Sequence, residues 1–283
     1  MRPYGSFLKA FRSRLRRRGG LGRRGPALAF RGLGAAAFSL AALFAPPASS
    51  ETLTVQGSTT FNAALILPYG SAVEAASGHV LKVVPNRSNF GLVALFEGRA
   101  DLAMISSPLE VETDWLRRQR PDLDAARLRG FEIARTRVAF IVNPGNTARN
   151  IKVEDVRRIL SGGITNWREL GGPDLPIRVV AARGGGGAVL AVETQLLGGS
   201  AIKAADAVRV QNSSLILKVV EQEPGAFGVV SHSVVRPLCG CELLTEAPVE
   251  QQLILVSLGD PTPAARTVID VLRRLAAKNA GQS

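Results

Sequence analysis

Residues 178–193, RVVAARGGGGAVLAVE, decide how this chain folds. The run from Val179 to Ala182 is short, apolar and partly β-branched, which predicts a buried strand. From Ala188 onward the apolar positions recur at helical spacing, which predicts a helix. Between them stand Arg183 and four consecutive glycines, Gly184 to Gly187. A glycine turn between strand and helix leaves backbone N–H groups free at the positive end of the helix dipole, where an anion is favoured. No Lys-Ser or Lys-Thr pair follows the glycines, so the turn is not a nucleotide P-loop.

The alternation continues outward on both sides. Upstream, TLTVQG (52–57), HVLKVVP (79–85), ADLAMIS (100–106) and RVAFIVNP (137–144) predict strands. The segments 58–78, 88–98 and 152–163 predict helices with Gly at or near their ends. Downstream, helix 213–225 closes on Pro-Gly, AFGVVS (226–231) and QQLILVSL (251–258) predict strands, and AARTVIDVLRRLAAK (264–278) predicts a last helix. Strands and helices in this order specify an α/β fold. With 46% hydrophobic and 20% charged residues, the 283-residue chain buries a sizeable core.

The net charge of +12 does not indicate a nucleic-acid partner. Ten of the 35 Lys and Arg lie in residues 1–50, which carry no Asp or Glu. The remaining 25 face 23 acidic residues, a net of +2, whereas a nucleic-acid-binding body carries its own basic face. Residues 1–50 have the order of an export signal: a basic stretch (11–25), an apolar run (33–45) and PPASS with small residues for cleavage. Thirteen residues of helix span about 20 Å, short of the roughly 30 Å hydrocarbon core. The expectation is an exported protein with no stable membrane insertion after cleavage, located in the periplasm.

Cys239 and Cys241, in RPLCGCELL, leave three alternatives: a strained disulfide, a soft-metal pair or two reduced thiols. The two histidines, His79 and His232, are far apart and come with no nucleophile elbow or metal-spaced partner. The chain is therefore not expected to be an enzyme, and neither a cofactor nor a metal is expected.

Ligands of open α/β sheets sit beyond the carboxyl ends of the strands. Three turns there have anion chemistry: GSTTF (57–61), with Ser and Thr able to cap the helix; NRSN (86–89), with Arg87 before Ser88; and the opening glycine turn with Arg183. Asp101 starts a strand, and a carboxylate beside such a site accepts a proton from hydrogen phosphate while repelling a fully ionised oxyanion.

Taken in order, VQGSTTF, GRADLAMISSPL, FIVNPGN, ILSGGITNWRELGGPDLPI and the segment 212–231 resemble the phosphate-binding proteins of bacterial ABC phosphate importers, within the type II periplasmic binding protein superfamily. The resemblance implies a two-lobe, Venus-flytrap α/β protein with hinge strands and ligand in the cleft. It places lobe 1 at 52–139 plus 230–283 and lobe 2 at 140–229, with crossings near AFIVNP and FGVVS. Trp167 then packs inside the second lobe. The implied ligand-binding residues are Thr59, Thr60, Phe61, Ser88, Asp101, Arg183, Gly186 and Gly187. The implied function is extracytoplasmic capture of phosphate or a related oxyanion, and the implied partner is an ABC importer permease. The family's Ser and Thr hydroxyls after the Arg are missing here, where Gly186 to Val189 stand. Two lost donors to a charged ligand amount to roughly 3–5 kcal/mol. The alternative is a sensor or cell-envelope interaction module on the same fold with weakened ligand binding.

Overall fold

The computed structural model describes residues 50–149, 151–183, 186–204, 207–235, 242–243 and 249–280. The export-signal reading, Gly184, Gly185, Cys239 and Cys241 lie outside the described residues.

Among the described residues, nine strands form one continuous sheet that changes character halfway. They are β1 (Thr52–Ser58), β2 (Val80–Asn86), β3 (Leu102–Ile105), β4 (Leu128–Val142), β5 (Arg178–Ala182), β6 (Val208–Val210), β7 (Ala226–Ser231), β8 (Glu242–Leu243) and β9 (Glu250–Leu258). The helices are α1 (Thr59–Phe61), α2 (Leu67–Ser77), α3 (Ser88–Phe96), α4 (Leu109–Gln119), α5 (Val153–Leu160), α6 (Gly187–Gln195), α7 (Ser213–Gln222) and α8 (Pro263–Ala280). The strand order is β2-β1-β3-β9-β4-β7-β5-β6, with β8 added on β4.

The long strand β4 belongs to both halves. Its residues Leu128 to Arg137 pair antiparallel with β9, and Val138 to Val142 pair antiparallel with β7. Each half is a three-layer lobe, because successive side chains of a strand point to opposite faces. In the first lobe Leu102 and Met104 pack with α2 and α8 residues such as Val73 and Leu272, while Ala103 and Ile105 pack with Leu92 and Leu116 of α3 and α4. In the second lobe Phe140, Val179 and Phe227 face Val156 and Val192 of α5 and α6, and Ile141, Val180 and Val230 face Ile216 and Val220 of α7. Trp167 is fully buried in the second lobe, its Nε1–H donating to the Gly225 carbonyl at 3.0 Å.

The two-lobe α/β architecture agrees with expectation, and the outward crossing falls between Arg137 and Val138, close to AFIVNP. The return crossing does not lie at FGVVS. All of β7 pairs in the second lobe, β8 adds to the same half, and the chain re-enters the first lobe at β9. Residues 230–231 and 242–243 therefore pair in the second lobe and do not open the first. Val229 and Val230 are apolar on both faces, as a strand covered by helices on both sides requires, and such a run carries no mark of which sheet it joins.

Two local details bear on the cleft. The helix after β1 is continuous, but it passes through a π-helical turn, Asn62–Ile66, just before Pro68. Proline lacks the N–H and crowds the carbonyl four residues earlier, and a widened turn relieves that conflict. Before that helix, Gly57 has φ +137°, and a Cβ there would stand 2.2 Å from the Met104 carbonyl. Only glycine lets β1 bend into the turn while lying this close to β3.

Candidate functional site

The carboxyl ends of β1, β2, β3, β5 and β6 point toward one cleft between the lobes, with a cavity of about 250 Å³. Four helix starts open onto it: Ser58 to Thr60 before and in α1, Arg87 to Asn89 at α3, Gly186 to Ala188 at α6, and Gln211 to Ser213 at α7. Parallel strands followed by helices place these N-termini on one edge, as the topology demands. The converging dipoles and N–H groups favour an anion there.

The lobe 1 floor is a chain of hydroxyls. Ser58 caps α1 by accepting from the Phe61 N–H at 3.2 Å and donates its own proton to Ser106 Oγ at 2.9 Å. The Ser106 N–H donates to Ser88 Oγ at 3.4 Å. Thr60 is buried and lines the cavity beside the partly exposed Thr59.

Three arginines among the described residues line the cavity: Arg87, Arg118 and Arg183. Arg183 is exposed at the end of β5, and its Nε–H donates to the Arg209 carbonyl at 2.9 Å, which fixes its stem on the cleft rim. Arg87 stacks over the Phe90 ring at 5.3 Å and donates from Nη2 to the Arg183 carbonyl at 3.3 Å, a bond between the lobes. The lobes also touch at Gly187, whose added Cβ would stand 1.9 Å from the Ser106 carbonyl.

Among the described residues one carboxylate lines the cavity, Glu112 on α4. It is 7% exposed and accepts from Ser107 Oγ. Burial pushes its carboxyl above the ordinary value; hydrogen bonds from Ser107 and Ser88 and the charge of Arg87 oppose this without cancelling it. A carboxyl whose folded pKa is raised is most compatible with the native state when protonated. Its penalty enters as pH rises through that folded value. Glu112→Gln should therefore be more stable than the wild type to urea at pH 8, with the difference shrinking toward pH 4. A difference that grew toward acid would contradict this account.

Thr59, Thr60, Ser88, Arg183, Gly186 and Gly187 come together in the cleft. Asp101 does not. It sits, exposed, at the opposite end of β3, five residues or about 16 Å of strand before Ser106. There its Oδ2 accepts from the Thr54 N–H at 2.7 Å, so it pins β1 instead of meeting a ligand. Phe61 is also misplaced as a contact: its ring is fully buried in the first lobe and its N–H is taken by Ser58.

Glu112, Trp115 and Arg118 were missed because α4 was not predicted as an element. Their spacing of three places them along one helix face. Acidic residues in the first turn of LEVETDWLRRQ and Arg117 and Arg118 in the last were the available signal. The α7 turn was missed too, although Asn212 is a plain N-cap whose Oδ1 accepts from the Leu215 N–H at 3.1 Å.

Residues 44–238, more than two thirds of the chain, match the family described as the PBP superfamily domain. Among curated proteins, the phosphate-binding protein PstS of Bacillus subtilis (strain 168) is 24% identical over 185 residues. That alignment covers 65% of this chain and spans only 58% of the relative's length. A protein from Clostridium perfringens, described as a phosphate ABC transporter substrate-binding protein and solved with bound phosphate, superposes with a TM-score of 0.66 at 22% identity, covering 78% of this chain and 92% of that one. An ABC-type phosphate transport receptor from Vibrio cholerae gives 0.56 at 21% identity, covering 81% and 96%. At these identities the solved structures establish the fold.

Proposed function

The chain belongs to the PBP superfamily, and on that premise we propose that it is an extracytoplasmic solute-binding protein that captures phosphate or a related oxyanion for an ABC importer. The observation that supports this reading is that four helix starts and three arginines among the described residues line one interlobe cavity. Charge-assisted bonds to an oxyanion are strongest in such a partly desolvated cleft. The names of the B. subtilis, C. perfringens and V. cholerae proteins support phosphate as the ligand class and an importer as the partner. No helix among the described residues is long and apolar enough to cross a membrane. The protein works by binding and release, not turnover.

Glu112 supplies selectivity in this reading. Ionised, it accepts a hydrogen bond from a protonated oxyanion and repels one that has no proton to give. Protonated, it donates and no longer discriminates. Because burial raises its pKa, preference for phosphate over sulfate should grow as pH rises through that value and flatten in Glu112→Gln.

Calorimetric titration of the purified protein with phosphate and sulfate across pH tests this. Saturable heat with phosphate is expected, with sulfate gaining on it toward acid. An absence of heat with every oxyanion would overturn the reading in favour of a non-transport sensor or envelope module.

A further inference from the structure

We infer that the preferred ligand is a monosubstituted oxyanion, an organic phosphonate or phosphate monoester, with its apolar substituent packed on Val111, Trp115 and Leu190. This rests on the oxyanion reading above and narrows its ligand class.

The cleft is chemically divided. Hydroxyl and guanidinium groups gather at the strand ends, but α4 of lobe 1 and α6 of lobe 2 contribute apolar side chains to the same cavity. Val111, Trp115 and Leu190 are each only partly buried, so they present apolar surface to it. A bare phosphate dianion has no apolar surface and gains nothing from such a wall, whereas an alkyl or aryl group gains roughly in proportion to the area it removes from water.

Size points the same way. A single water needs about 10–15 Å³ of such free space, so a five-atom oxyanion fills a minor part of the roughly 250 Å³ cavity. A second cavity of about 260 Å³, toward β9, shares Val111 and Leu190 with the first. Free space bordered by Val111 and Leu190 therefore continues past the first cavity.

Donor count agrees as well. Gly186 and Gly187 put no side-chain donor on their stretch of the wall. Inorganic phosphate has four oxygens to satisfy. A phosphonate has three, with carbon where the fourth would be, and a monoester's fourth oxygen carries the substituent.

The test is calorimetric titration of the full chain with inorganic phosphate and with phenylphosphonate. Phenylphosphonate should bind at least tenfold more tightly. In Trp115→Ala the ratio of the two affinities should fall toward one; Leu190→Ala provides the same readout from the other lobe should the tryptophan variant fail to fold. Phosphate binding as tightly as phenylphosphonate, or more so, overturns the inference and leaves the oxyanion reading standing. A preference for phenylphosphonate that persists undiminished in both variants overturns the assigned wall. Binding of neither anion overturns the oxyanion reading itself.

Discussion

Gly187→Ala should lose about 5- to 150-fold in oxyanion affinity while both lobes stay folded. The added methyl would stand 1.9 Å from the Ser106 carbonyl, 2.6 Å from Ser106 Oγ and 2.6 Å from Gln251 Nε2. The first of these is backbone at the end of β3, with all four residues Leu102–Ile105 buried, so it does not yield. The buried Gln251 is itself held there by donating to the Ser106 carbonyl at 3.1 Å. The contact is relieved only by lifting α6 off β3, which separates the lobes at the cleft. Overpacking of this kind costs about 1–3 kcal/mol, and each 1.4 kcal/mol is tenfold in affinity. The cost falls on the closed arrangement alone. With the lobes apart, alanine is the better residue for the start of a helix, so the ligand-free melting temperature should hold or rise. The signature is a melting temperature that anion no longer raises. Wild-type affinity in this variant would show that the lobes need not meet at Gly187 when ligand is bound.

Arg183→Ala should weaken oxyanion binding by about 10- to 100-fold with little change in stability. A hydrogen bond to a charged group contributes about 1.5–3 kcal/mol, and Arg183 is exposed, where substitutions usually stay within about 0.5 kcal/mol of neutral. Its side chain is aimed before any ligand arrives: Nε donates to the Arg209 carbonyl at 2.9 Å, while the backbone N–H donates to the Val210 carbonyl at 2.7 Å. Neither terminal nitrogen donates to a partner among the described residues. Arg183→Lys restores the charge but not the fork, so it should recover only part of the loss. Titration of both variants, with urea melts alongside, checks this. Equal affinity for wild type and Arg183→Ala would remove Arg183 from the site.

The strand and helix periods were legible in the sequence because they are local. RVVAA and AVLAVE announced a strand and a helix, Gly78 and Gly98 closed the helices before them, and Ser58 capped the helix that follows β1. The cleft followed from the same pattern, since parallel strands leading into helices leave their N-termini on one edge. Arg183, Ser88 and Thr60 reach the cleft wall for that reason.

Contacts between distant segments could not be read in this way. Asp101 and Glu112 are both carboxylates near the third strand, and only the strand's direction shows that Asp101 lies at its far end while α4 returns Glu112 to the cleft. FGVVS gave no sign of which lobe it joins, because a strand buried on both faces reads the same in either. The glycine run is the plainest case. In sequence, Gly187 is one of four equivalent glycines in a strand-to-helix turn. In the fold it is the point where α6 meets the Ser106 carbonyl of the other lobe, and a single methyl group there has no space to occupy. Sequence by itself determined the alternating α/β architecture and the edge on which the helix starts gather. The tertiary structure alone decided which acid lines the cleft and which glycine lets the lobes touch, because both depend on segments brought within van der Waals distance from far apart in the chain.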